Sequence, residues 1–146
     1  MLKKNNNKNI SLNLLSHLVK LYNNGQFTEL LNKGCKLERL YPYSVELLNI
    51  LGSANLALEE YKKAIKVFKN ASTLNNNNPI IYYNLGIAYY HDGYMKDAII
   101  NYKKAIQLKP NYSEAYCNMG MCFKNIGDLK EAAICYQKSI KINPGF

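Results

Sequence analysis

Tyr82-Tyr83-Asn84-Leu85-Gly86 returns 34 residues later as Tyr116-Cys117-Asn118-Met119-Gly120. The same step carries Gly93 to Gly127, Ala98 to Ala132, Tyr102 to Tyr136, Ile106 to Ile140 and Pro110 to Pro144. One step back lie Leu51-Gly52, Ala64, Phe68 and Ala71, and a further step reaches Gly25, Phe27 and Pro42. Self-similarity at a fixed period decides an architecture before any single residue does. Four units tile the chain at 11–44, 45–78, 79–112 and 113–146. This predicts a single repeat domain over 11–146 behind a disordered, Lys- and Asn-rich start at 1–10.

Within a unit the apolar spacing is helical. Tyr82, Leu85, Ile87 and Tyr89, then Ala98, Ile99, Tyr102, Ala105 and Ile106, fall on helix faces. His91-Asp92-Gly93-Tyr94 breaks the pattern with a glycine able to take the left-handed conformation that ends a helix. Lys109-Pro110-Asn111 closes the second run, since proline cannot continue a helix. Each unit is therefore a helix, a tight turn and an antiparallel helix. Gly86 is expected to face Ala98 across the hairpin, as Gly52 faces Ala64 and Gly120 faces Ala132. Tyr89, Tyr102, Phe123, Tyr136 and Phe68 are the large knobs that fill the space beyond. A lone hairpin buries only part of its apolar surface, so units stack.

The pattern of an aromatic, then Leu-Gly, Tyr, Ala, Phe or Tyr, and Pro resembles the tetratricopeptide repeat over residues 11–146. The last two units match closely, with Tyr82 and Tyr116 where the family often has Trp. The second departs at Asn76, in place of the terminal Pro, and at Glu59, in place of the turn Gly. The first departs most. Leu18, Leu30 and Leu37 stand where small residues are expected, and Gly34 where an aromatic is expected. Large-for-small paired with small-for-large reads as compensated repacking. The resemblance implies an all-α, right-handed superhelical solenoid of helix-turn-helix repeats.

It also implies that the first helix of each unit lines a concave groove. Leu15 and Val19 would contribute from the first unit, and Asn49, Ser53 and Leu56 from the second. Ile80, Tyr83, Asn84, Ile87, Tyr90 and His91 would follow, then Glu114, Cys117, Asn118, Met121 and Lys124. Such a mixed surface takes a peptide or a helix. Asn84 and Asn118 are similar to the asparagine ladder of O-linked N-acetylglucosamine transferase, whose carboxamides hold substrate backbone. Ile50 occupies the corresponding place in the second unit, so the ladder has two rungs. The alternative is that these asparagines decorate a solvated face. The carboxylate grip of co-chaperone domains is not matched: laid over Asn49, Ser53, Asn84, Glu114 and Asn118, only Asn84 fits.

Composition narrows the classes further. Nineteen basic against ten acidic residues give a net charge of +9, which could serve an anionic partner. Asn, Lys, Ile and Tyr dominate, as AT-rich codon usage would produce, so the charge needs no ligand to explain it. The lysines at 62, 63, 66, 69, 103, 104, 130, 138 and 141 fall on second helices, without interleaved stacking aromatics, which disfavours nucleic acid. No apolar run reaches the roughly 18 residues of a membrane span, and no secretory signal is visible. Cys35, Cys117, Cys122 and Cys135 form no CxxC pair and no metal spacing with His17 or His91, the pattern of reduced thiols in a cytoplasmic protein. No triad, phosphate loop or carboxylate pair argues for an enzyme, a cofactor or a metal.

The expected function is a scaffold that holds a peptide or protein segment in the groove. Two alternatives stay open. The fourth unit ends at Ile142-Asn143-Pro144-Gly145-Phe146 with no further helix, leaving Ile134 and Ile140 uncapped and able to self-associate. Equally, the chain is the repeat part of a larger glycosyltransferase- or sulfotransferase-like enzyme.

Overall fold

The computed structural model describes residues 10–145, so most of the expected disordered start lies outside the described residues. Eight helices follow one another in that range, with no strand: α1 (Leu12–Asn23), α2 (Phe27–Leu40), α3 (Val45–Ala57), α4 (Tyr61–Leu74), α5 (Pro79–His91), α6 (Met95–Leu108), α7 (Ser113–Asn125) and α8 (Leu129–Ile142). They form antiparallel pairs in two compact units that divide between residues 74 and 75, with α1 to α4 in the first and α5 to α8 in the second.

Short polar side chains start several of these helices. Ser11, Ser44, Asn78 and Asp128 accept hydrogen bonds from the backbone N–H of Leu14, Leu47, Ile80 and Glu131 at 3.3, 3.2, 3.0 and 3.2 Å. Each satisfies a donor that the first turn leaves without a partner. Pro79 opens α5, where its missing N–H costs nothing.

The hairpin turns need a residue at positive φ. Gly25, Gly93 and Gly127 supply it at 71°, 87° and 87°, and Glu59 is forced into the same region at 59°. A side chain there costs about 1–2 kcal/mol, while a glycine loses some of that advantage to unfolded-state entropy. Glu59→Gly is therefore expected to stabilise the fold by about 0.5–1 kcal/mol. Urea denaturation at neutral pH checks this.

The glycines of the first helices lie closest to the aromatic of the second helix. A Cβ built on Gly86 would lie within 3 Å of the Tyr102 ring; at Gly52 it would meet the Phe68 ring, and at Gly120 the Tyr136 ring. The small second-helix residue, Ala64, Ala98 or Ala132, is buried one turn away. Its size lets the helices approach, and the aromatic one turn on then closes over the glycine. In the second unit this knob centres a core of Ala98, Ile99, Tyr102, Ala105, Tyr112, Ala115, Met119, Cys122 and Cys135. The Ser139 hydroxyl donates to the Ser113 carbonyl at 2.9 Å inside it, fastening α8 to the start of α7.

The first hairpin solves the same problem with different residues. Leu18 and Leu30, both buried, replace the small pair, and the buried Gly34 replaces the aromatic. Leu51 of α3 points its Cδ2 into the hollow at Gly34. Leu18, Leu30 and Leu51 form one core cluster of the first unit with Leu21, Leu47 and Ala54. The exchange in sequence is thus compensated in space.

Candidate functional site

Each unit carries a pocket of its own on its first helices. In the second unit a cavity of about 200 Å³ is lined by Ile87, Tyr90 and His91 of α5, Met121 and Asn118 of α7, and Tyr102 of α6. In the first unit a cavity of about 150 Å³ is lined by Val19 and Tyr22 of α1 and by Asn49, Ile50 and Ser53 of α3. The structure therefore brings together Ile87, Tyr90, Asn118 and Met121 in one place, and Asn49 with Ser53 in another. Asn84, Cys117 and Lys124 line neither; the first two are half-buried and Lys124 is exposed.

Tyr102, which lines the second-unit pocket, belongs to a cluster of tyrosines. The Tyr83 ring centroid is 4.8 Å from that of Tyr112 and 6.0 Å from that of Tyr102. Burial holds the Tyr102 phenol far above its ordinary pKa and pushes Tyr112 up to about 12. Tyr83 is raised by burial too, partly offset by a hydrogen bond from Asn118. That bond, Asn118 Nδ2 to Tyr83 Oη, is 3.3 Å long, and Asn125 Nδ2 donates to Tyr90 Oη at 3.1 Å. The Asn118 carboxamide is thus already engaged by the neighbouring hairpin, and this rung is built into the wall of the site.

Tyr102, Tyr22, Ile50 and Asn125 were not among the sequence-derived groove residues. Tyr102 reads as a core knob, and at 1% exposure it is one; its edge is also the pocket floor. Asn125 was readable, because it follows Asn118 by two turns as Tyr90 follows Tyr83.

The outer lysines stand closer to aromatics than their spacing implied. Lys103 Nζ lies 6.0 Å from the Phe123 ring centroid, Lys104 6.0 Å from Tyr82 and Lys138 5.6 Å from Tyr116. The last two contacts occupy equivalent places in successive hairpins. These rings are covered by the chain's own cations.

Burial works against activation of the two core thiols. Cys122 is fully buried and its pKa is pushed up to about 11 by desolvation; burial also raises Cys135. All four cysteines are free, and among the described residues no group of three His, Cys, Asp or Glu is placed to hold a metal. A linkage prediction follows. Unfolded thiols and phenols titrate near 8.5 and 10, below the folded values of Cys122 and Tyr112. The unfolded chain then binds fewer protons, so stability is whole below about pH 8.5 and falls as pH rises towards 12. Thermal unfolding from pH 7 to 11 should show this, and Cys122→Ala should flatten the early part of the fall.

Tetratricopeptide-repeat family models match residues 79–112 and 113–146, and a further one matches 52–93. Over 90% of its length the chain superposes on a crystal structure of MamA, covering 77% of that chain with a TM-score of 0.85 and 30% identity. The chain belongs to the tetratricopeptide-repeat family. A MamA fragment from Desulfovibrio magneticus RS-1 shares the fold at 23% identity and a TM-score of 0.85, with coverage of 90% and 75%. A thermophilic TPR protein of Thermus thermophilus, TTC0263, does so at 21% and 0.78, with coverage of 90% and 73%. No curated protein sequence matches. As a tetratricopeptide-repeat chain it falls among protein-interaction and scaffold modules. No helix among the described residues is long and apolar enough to cross a membrane.

Proposed function

We infer that this tetratricopeptide-repeat chain, repeating at 11–44, 45–78, 79–112 and 113–146, holds a peptide or protein segment against its first helices. The observation that supports this most is the pocket of Ile87, Tyr90, His91, Tyr102, Asn118 and Met121. It is concave, mainly apolar and furnished with a few fixed polar groups, the usual make-up of a recognition site. Asn49 and Ser53 give the first unit a second, smaller point of attachment. Asn84, Cys117 and Lys124 would border the segment on the same helices.

Met121 is 37% exposed, so a charge there disturbs the pocket wall without entering the core. Peptides selected from a random display library on the purified chain should lose at least tenfold in affinity to Met121→Glu. Asn84→Ala with Asn118→Ala should cost on the order of 1 kcal/mol per lost hydrogen bond. Selected peptides that bind all of these variants as they bind the parent would place the contact elsewhere.

Self-association through α8 is the second reading. Leu129 and Ile140 are 67% and 52% exposed, whereas their equivalents Met95 and Ile106 pack against the second unit's core. Ile134 is 43% exposed, but its equivalent Ile100 is more so, and both belong to the outer surface. Light scattering across a concentration series decides: a dimer abolished by Ile140→Glu supports association, and a monomer at every concentration removes it.

A further inference from the structure

We propose that the exposed stripe of α8 receives an amphipathic helix of another protein, with apolar residues at i, i+4 and i+7 and acidic residues beside them. The proposal is independent of the groove reading, because it concerns a different helix. It also gives α8 an occupant other than a second copy of this chain.

The structure supplies the template for this contact twice. In the second unit α6 packs against α7, and Met95, Ile99 and Ile106 meet one core with Ala115, Met119 and Cys122. In the first unit α2 packs against α3, and Phe27 and Leu31 share a core with Leu47, Leu51 and Ala54. Both received helices, α3 and α7, carry these apolar residues at i, i+4 and i+7, along one face. Carried on by 34 residues, the receiving stripe of α6 falls on Leu129, Ala133 and Ile140 of α8. There it is open. Leu129 and Ile140 are 67% and 52% exposed and Ala133 is exposed too, whereas its equivalent Ile99 is buried. A helix of the kind that α7 offers to α6 completes the pattern.

The chain's own helices are poor occupants. The residues of α1 that correspond to Leu47, Leu51 and Ala54 are Asn13, His17 and Lys20, all exposed. A second copy arriving with α1 would strip water from a carboxamide, an imidazole and an ammonium and set them against Leu129 and Ile140. Two α8 helices meeting stripe to stripe are opposed by charge. This helix carries Lys130, Lys138 and Lys141 against Glu131. At about 3.6 residues per turn, Lys130 and Lys141 fall in line along one edge of the stripe. Neither makes an ion pair among the described residues. Their ammoniums attract a helix whose apolar face has acidic flanks and repel a second α8.

The test is isothermal titration of the whole chain with three blocked peptides of about 18 residues, long enough to be helical in water. One is built of alanine and glutamate with leucines at i, i+4 and i+7. The second scatters the same leucines around the helix, and the third keeps the stripe but has lysine for glutamate. The striped acidic peptide should bind about tenfold more tightly than either control, the worth of one buried leucine. Leu129→Glu and Ile140→Glu, both at exposed positions, should each weaken it about tenfold and leave the circular dichroism unchanged. Met121→Glu, in the groove, should leave its binding as in the parent. A striped acidic peptide that fails to bind, binds no tighter than either control, or is lost with Met121→Glu overturns the proposal. So does a dimer in light scattering that Ile140→Glu dissolves and the peptide does not. Groove binding is decided separately, by the response of library-selected peptides to Met121→Glu.

Discussion

Gly86→Ala lowers the unfolding free energy by about 2 kcal/mol, although alanine for glycine in an open helix raises it by up to about 1 kcal/mol. The reversal comes from Tyr102. Its ring carbons occupy the space a Cβ at 86 would take, and at 1% exposure the ring has nowhere to retreat. Moving it would disturb Ile99, Ala105 and Cys122, which share its core. Gly120→Ala is the internal control. A Cβ there meets the Tyr136 ring at 2.8–3.1 Å, but that ring is only half-buried and can swing outward. Its cost should be well under half that at Gly86. Urea denaturation of the two variants gives the comparison directly. Tyr102→Leu in the Gly86→Ala background should then recover about 1 kcal/mol or more relative to additivity, as expected for residues in contact. Equal losses at 86 and 120 would mean that ring mobility does not set the cost.

The same pair shows how much of this molecule is written in the sequence. The repeat gave the helices, the turns and the buried aromatic position, because period and glycine placement report local geometry. It did not show that the Tyr102 ring closes over Gly86, since spacing fixes the face of a helix and not which turn of the neighbour lies above it. The pocket was partly legible for a related reason. Ile87, Tyr90, Asn118 and Met121 share helix faces, and their position in a unit places them in the groove. Tyr102 escaped because a residue can be buried on one side and form a pocket floor with its edge. That Asn118 and Asn125 bond to Tyr83 and Tyr90 depends on how α5 and α7 pair. No linear pattern contains it.

Leu51→Ala is expected to cost about 3–4 kcal/mol, the largest loss predicted for the first unit. Leu51 is 1% exposed, and its Cδ2 fills the hollow that Gly34 leaves where the other hairpins carry an aromatic. Truncation removes buried methyl groups and opens a cavity bordered by Leu18, Leu30 and Leu47, which belong to the same core. Gly34→Ala alone should cost less, about 1 kcal/mol, because the atom it meets is the end of a side chain that can turn. Combining them decides whether the exchange of large and small residues is a compensation or a coincidence. An alanine at 34 occupies part of the cavity that Leu51→Ala leaves and no longer meets Cδ2. The double variant should therefore be more stable than the sum of the two losses predicts by about 1–2 kcal/mol. Strict additivity would mean that Leu51 and Gly34 do not answer one another, and that the first hairpin is held by Leu18 and Leu30 alone.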